Sequence, residues 1–276
     1  MMTGSLVPEP VTAIDLFAGA LMPGLMLVGM FIVLIYFYAR INPNSCPPVK
    51  TERTRGEIYT NAITSILPPL ILILLVLGSI LMGIATPTES ASVGAVGAAV
   101  IAALKGQLNY KNVRDVSLST VKLSSFVFVI LIGASMFSLV FRGFNGDEMI
   151  EHFLGTLPGG LYGALFIVMA AIFVLGFFLD YIEIIFVIVP LVGPVLIANG
   201  ADPLWLGILI SLNLQTSFMT PPFGFSLFFL RGVAPKEIET QNMYKGVMPF
   251  IAVQIVALFI VGFFPEIATW LPDKLF

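Results

Sequence analysis

The stretch from Leu16 to Tyr38 carries no Asp, Glu, Lys or Arg, and this constrains the fold more than any other feature of the chain. As a helix it would extend about 35 Å, enough to span a bilayer. Similar runs recur along the sequence, so composition follows the same pattern. Hydrophobic residues make up 58% of the 276 positions and charged residues 11%, with a mean hydropathy of +1.02, against roughly 25% charged in an ordinary soluble domain. A water-soluble fold of this length could not hide that much apolar surface.

The same composition excludes several chemistries. Cys46 is the only cysteine and His152 the only histidine. An intramolecular disulfide is therefore impossible, and thiolate or His/Cys metal clusters and a Ser-His-Asp triad lack their material. A formal net charge of -3 gives no basic footprint for nucleic acid. The first fifteen residues hold Glu9 and Asp15 but no Lys or Arg, so they lack the basic n-region of a secretory signal and the first span reads as part of the mature chain.

Hydropathy predicts an all-α, multi-pass bundle. Spans run from Leu16 to Tyr38, from Ile58 to Ala85, from Thr86-Pro87-Thr88-Glu89 to about Leu104, and from about Lys122 to Phe141. Gly160 to Phe178 and Ile184 to Ala198 flank the polar cluster Asp180, Tyr181, Ile182, Glu183. Asp202-Pro203 reads as a helix start, leading to a segment that stops at Thr220-Pro221-Pro222 and resumes from Phe223 to Leu230. Gly246 to Phe264 is the last span, followed by a short tail. Eleven of the thirteen Lys and Arg residues follow span one (Arg40, Lys50, Arg53, Arg55), separate spans three and four (Lys105, Lys111, Arg114, Lys122), or precede the last span (Arg231, Lys236, Lys245). Basic loops stay in the cytoplasm. All eleven share that side only if Gly160 to Ala198 enters from the opposite face and turns back, as a re-entrant hairpin or tight pair. Asp147, Glu148, Glu151 and Asp202 then lie outside. Pro43 to Lys50 is the one linker-like stretch, and residues 1–276 read as a single membrane domain.

Three acidic residues, Glu89, Asp180 and Glu183, interrupt apolar surroundings. An ionised carboxylate at mid-bilayer costs about 2.5 to 3.5 kcal/mol. Glu89 has a structural reading, since Thr86 or Thr88 can cap a helix whose N-terminus favours a carboxylate, and a functional one as a gate or helix-end polar site. Asp180 and Glu183, three apart, are expected on one helical face at a hairpin tip. Irregular backbone at membrane depth is tolerated only against protein or a water-filled cavity.

The segment Asn213 to Gly224 is the most informative. Two consecutive prolines remove two backbone donors, so the helix breaks near Thr220. Asn213, Gln215, Thr216, Ser217 and Thr220 add side-chain oxygens at the depth where the carbonyls from Ser217 to Thr220 lose partners. Oxygen without fixed charge suits a desolvated sodium ion; a proline kink patched by hydroxyls accounts for the same residues. Gly176 and Gly224 flank the breaks and permit close helix approach or positive φ.

Taken together, Gly83-Ile-Ala-Thr-Pro-Thr-Glu-Ser-Ala91, Leu175-Gly-Phe-Phe-Leu-Asp180 with Pro190 and Pro194, Gly200-Ala-Asp-Pro203 with Gly207, and Asn213 through Thr220-Pro-Pro-Phe-Gly224 resemble the large membrane (M) subunit of tripartite ATP-independent periplasmic (TRAP) transporters. Around Phe178, Glu183 and Asn213 to Gly232 the likeness is nearest the branch associated with mannitol, chloroaromatic compounds and 2-oxo acids. The resemblance implies an elevator-type, sodium-coupled permease in the bacterial inner membrane, not an enzyme, with sodium as coupling ion and no other cofactor. It implies a periplasmic binding protein that delivers an organic acid and a small four-helix membrane subunit, all working in the lipid bilayer without nucleic acid. It assigns sodium and substrate binding to Gly176, Asp180, Asn213, Thr216, Ser217, Thr220, Pro221 and Gly224, in the hairpin and broken helix of the second of two inverted repeats. Residues 16–38 resemble the last helix of the first repeat and 58–264 the second repeat. The first hairpin and first broken helix have no counterpart, which implies an internal start or a split gene with a separate chain carrying the first repeat. A truncated remnant or assembly partner that moves nothing alone is the rival reading. A membrane-embedded enzyme is disfavoured because no nucleophile and base pair is available.

Overall fold

The computed structural model describes residues 11–43, 54–221, 224–235 and 238–276. Glu9, Cys46, Lys50, Arg53, Pro222, Phe223 and Lys236, named above, and most of the linker before Lys50 lie outside the described residues. All regular structure among the described residues is helical, in the order α1 (Ala13–Ile41), α2 (Arg55–Leu81), α3 (Pro87–Leu104), α4 (Tyr110–Gly143), α5 (Gly146–Gly155), α6 (Gly160–Leu175), α7 (Tyr181–Glu183), a π-turn (Ile184–Ile188), α8 (Val189–Ala198), α9 (Pro203–Met219), α10 (Phe225–Val233), α11 (Thr240–Phe263) and α12 (Glu266–Leu275). Six of these stretches, α1 to α4, Tyr181–Ala198 and α11, are long and apolar enough to cross a membrane.

The helix starts follow local chemistry. Thr12 with Asp15, Thr54 with Glu57 and Thr86 with Glu89 each form a capping box, in which the two residues satisfy each other's backbone N–H. Asp202 accepts from the Trp205 N–H at 2.7 Å and Pro203 takes the first helical position, where its missing donor costs nothing. Other boundaries differ from hydropathy. α4 starts at Tyr110 rather than near Lys122, because Lys111, Arg114 and their neighbours are exposed and a helix can continue into water beyond its apolar part. The expected short tail is helix α12, and a second short helix, α5, follows α4. Both are amphipathic, so neither registers as a span.

The chain forms two compact units. In the first, Tyr38–Leu123 with the start of the chain, α2 and α3 pack as an antiparallel pair. Ser79 and Ser90 share a hydroxyl hydrogen bond at 2.9 Å, and a Cβ on Gly94 would sit 3.3 Å from Val76. Small residues let backbones approach in the absence of a hydrophobic drive between helices. The second unit, Gly19–Phe37 with Ser124–Phe276, contains the main core. At its centre lies α9, buried along nearly its whole surface from Leu204 to Ser217 and packed against α6, α10, α11 and α12. Apolar side chains elsewhere are open, such as Leu74 at 63% and Phe128 at 65% exposure; in a bilayer these face lipid.

α6 and α9, at 16 and 17 residues, would rise only about 24 to 26 Å, short of a hydrocarbon core of about 30 Å. Each ends in an interruption, and the candidate site is built from those two ends.

Candidate functional site

The first interruption begins where α6 stops. Gly176 still donates to the Ile172 carbonyl at 2.8 Å, and Leu179 to Leu175 at 2.9 Å, so the chain unwinds over residues 176–179 rather than at one point. Asp180 is extended, with φ -69° and ψ 154°, and its carboxylate accepts from the Tyr181 N–H at 2.8 Å. Asp180 is thus an N-cap and does not share a helical face with Glu183, which corrects the expectation from their spacing. A cap residue takes non-helical backbone angles and turns its side chain to the first backbone N–H groups of the helix, as the Asp180 carboxylate does to Tyr181, instead of lining a helical face. Glu183 is half-buried on α7 and forms no ion pair among the described residues. The helix then widens, the Val189 N–H reaching back to the Ile184 carbonyl. Pro190 explains this, since it has no amide for the Phe186 carbonyl and its ring crowds the preceding turn.

The second interruption ends α9. Thr220 has ψ 130°, the extended angle that a following proline enforces, and its N–H turns back to the Ser217 carbonyl at 3.0 Å. Pro221 is half-buried; Gly224, buried, restarts the chain as N-cap of α10 at φ +38°. A side chain there would be strained, and a Cβ would sit 3.2 Å from the Thr220 carbonyl oxygen and 3.4 Å from that of Met219. Two carbonyls therefore crowd a residue that must be glycine.

Three hydroxyls line the same turn. Thr216 donates to the Leu212 carbonyl at 2.7 Å, Ser217 to Leu214 at 2.9 Å and Thr220 to Thr216 at 2.7 Å. Each hydroxyl thereby donates its one hydrogen bond within its own helix, and what it presents elsewhere is an acceptor oxygen. Patching the kink and offering oxygens to a cation are the same geometry. Asn213, 1% exposed, commits its amide nitrogen to the Met169 carbonyl of α6 at 2.8 Å. This bond ties α9 to α6 one turn before the hydroxyls.

The two interruptions meet. A Cβ on Gly176 would lie 2.7 Å from the Ser217 Cβ, so the end of α6 lies directly on the end of α9. The rings of Tyr181 and Phe218 stand edge to face at 6.4 Å, so the unwound turn runs along α9 past Asp180. Gly176 and Ser217 meet directly, Asn213, Thr216 and Thr220 lie on the same last turns of α9, and Asp180 follows Gly176 by four residues along the unwound stretch. Thr86, Thr88 and Glu89 belong to the other unit. There Thr86 and Glu89 form the cap of α3, with the Thr86 N–H and hydroxyl both reaching the Glu89 carboxylate at 2.8 Å, while Thr88 is exposed and its carbonyl accepts from Ser92. Sequence reading overlooked the Met169 carbonyl as a neighbour of the site, and nothing local marks it; Tyr181 stood in the polar cluster beside Asp180 without a role assigned to it. It also overlooked Gln254, which one amide in an otherwise apolar span does mark.

Residues 6–267 match the family model described as tripartite ATP-independent periplasmic transporter, DctM component. The chain belongs to this family. It is a multi-pass protein of the bacterial inner membrane, from a family of transporter components rather than enzymes. Among its relatives, the ectoine TRAP transporter large permease protein of Halomonas elongata is 29% identical over 263 residues, which is 95% of this chain and 60% of that protein. The C4-dicarboxylate TRAP transporter large permease protein of Vibrio cholerae is 30% identical over 283 residues, covering 94% and 61%. The sialic acid TRAP transporter large permease protein of the same organism is 26% identical over 259 residues, covering 94% and 59%. This DctM-family chain thus spans about 60% of the length of these relatives.

Proposed function

We propose that the chain is the C-terminal part of the large permease subunit of a sodium-coupled transporter that takes up an organic acid. The observation that carries this reading is the approach of Gly176 to Ser217, which sets two helix interruptions side by side in a membrane protein. Unwound backbone ends and hydroxyl oxygens can replace the hydration shell of a small cation without a fixed charge, and helix ends carry partial charges suited to ions. Gly176, Asp180, Asn213, Thr216, Ser217, Thr220, Pro221 and Gly224 form the sodium and substrate site. Asn213 acts there mainly by holding α9 against α6. Ectoine, C4-dicarboxylates and sialic acid, named for the relatives, all bear a carboxylate, which supports an organic acid as substrate class. The motifs around Phe178 and Glu183 favour a 2-oxo acid or a compound of the mannitol and chloroaromatic branch. A periplasmic binding protein delivers the substrate, a small four-helix membrane subunit braces the permease, and a separate chain supplies the first repeat.

Uptake by the assembled complex in vesicles tests this. Replacing sodium by choline reduces uptake to background, and Thr220→Ala and Asp180→Asn each lower the initial rate by roughly tenfold, the loss expected for one charge-assisted contact. Asparagine preserves the N-cap to Tyr181, so Asp180→Asn isolates the charge. Sodium-independent uptake, or unchanged rates in both variants, would overturn the assignment. Insertion without uptake under any ion condition would favour an assembly partner.

A further inference from the structure

A groove that the candidate site does not use runs between α6 and α11. Phe166 and Phe173 of α6 form one wall, Phe259 and Phe263 of α11 the other, and Leu209 and Asn213 of α9 the floor. The cavity measures about 320 Å³. Apart from Asn213 and, at one end, Tyr162, every residue of its lining is apolar. A carboxylate or an ion finds no set of partners there, and an apolar void does not hold water. Phe166 and Phe263 are 61% and 67% exposed, so the groove opens sideways, toward lipid. Its floor is recessed, with Leu209 and Asn213 at 2% and 1%. An α-helix with its side chains is about 10 Å wide and would rest on the walls without reaching that floor. An unbranched hydrocarbon chain reaches it. The length agrees. From Tyr162, in the first turn of α6, to Phe173 the helix rises about 16 Å, close to half of a hydrocarbon core of about 30 Å. The basic loops put the start of α6 and the end of α11 at the outer surface. Tyr162 stands at that end, and on α12, which follows α11, Lys274 lies over the Trp270 ring at 4.7 Å. Tyr, Trp and Lys, each with an apolar body and a polar tip, are residues of that boundary.

We propose that this groove binds one acyl chain of an outer-leaflet phospholipid, its ester end level with Tyr162 and its tail against Asn213. An empty groove would deprive three helices of packing contacts, and the chain restores them. The tail lies beside the bond from Asn213 to the Met169 carbonyl, so the lipid braces α6 and α11 on α9 one turn before α9 reaches the candidate site. Lipid tails are as apolar as the walls, so the preference for this place comes from fit rather than from escape from water.

The test uses the full chain purified in a steroid-based detergent, whose rigid tail does not enter the groove. The probe is phosphatidylglycerol with a diazirine in the middle of one acyl chain. After washing and illumination, mass spectrometry of peptides places the crosslinks on α6 and α11. Ala170→Phe and Gly262→Leu fill the groove from opposite walls. Ala170 is exposed and a Cβ on Gly262 meets only Leu209, at 4.0 Å, so both add volume to the groove and not to the core. Each lowers the crosslinking yield roughly tenfold, while Ala95→Phe, at an exposed position of α3, leaves it at the wild-type value. Adding the unlabelled lipid raises the thermal unfolding midpoint of wild type and Ala95→Phe but not of the two filled variants, whose own transitions show that they are folded. Unchanged yields in both filled variants, or crosslinks mainly on other helices, overturn the proposal. Oleate that competes as well as unlabelled phosphatidylglycerol overturns the phospholipid as occupant. A benzophenone side chain replacing Phe166 in membranes of the assembled complex joins lipid; if it joins a polypeptide instead, the groove seats a partner helix and the proposal fails.

Discussion

Gly176 has no side chain because Ser217 occupies the space one would need. A Cβ at 2.7 Å from another carbon lies well inside van der Waals contact, and both positions are held by helix ends that cannot simply part. Gly176→Ala should therefore destabilise the chain by about 1 to 3 kcal/mol, the usual range for overpacking. Ser217→Gly in the same background should recover most of that loss, with thermal unfolding of the purified chain as the measurement. A rescue would show that the contact, not some intrinsic preference for glycine, sets the residue type. Gly224 differs, since its φ of +38° demands glycine whatever the surroundings, and no second-site change should rescue a substitution there. Asp180 shows the limit of spacing arguments. Its separation from Glu183 suggested a shared helical face, and its capping of Tyr181 removes it from that helix.

At the scale of elements, α9 organises the second unit because most of its length from Leu204 to Leu214 is apolar and buried, and a helix of that kind must be surrounded. Its start is a local device and its end another. Asp202 bonds the Trp205 N–H, and removing that cap by Asp202→Ala should cost about 1 kcal/mol, while Asp202→Asn should leave stability nearly unchanged; denaturant midpoints decide between them. The end was legible in the sequence, since Pro221 and Pro222 allow no continuation. The π-turn after Glu183 was not. It arises from Pro190 in a helix already constrained at Asp180, and a single proline more often bends a helix than widens it. α5 and α12 were missed for a related reason, because ten-residue amphipathic helices carry too little apolar length to stand out in hydropathy.

For the whole molecule, the charge distribution predicts sidedness. In a Cys46→Ser background, a cysteine replacing Gln107, in the basic loop between α3 and α4, should react with an impermeant thiol reagent only after the membrane is opened. One replacing Glu148, beside the exposed Arg142 and Asp147 pair, should react in intact cells. Reversed labelling would invert the topology and with it the side on which α6 and α8 begin and end. The chain alone determined that it lies in the membrane as helices and where those helices stop. Apolar runs must satisfy their own backbone in lipid, and prolines, caps and glycines act within a few residues. Only the tertiary structure decided that the two stops coincide, that the Asn213 amide is held by Met169, 44 residues earlier, and that Gln254 is buried with no hydrogen-bond partner among the described residues. Those facts depend on contacts between segments distant in sequence, and no local periodicity encodes which helix end will meet which.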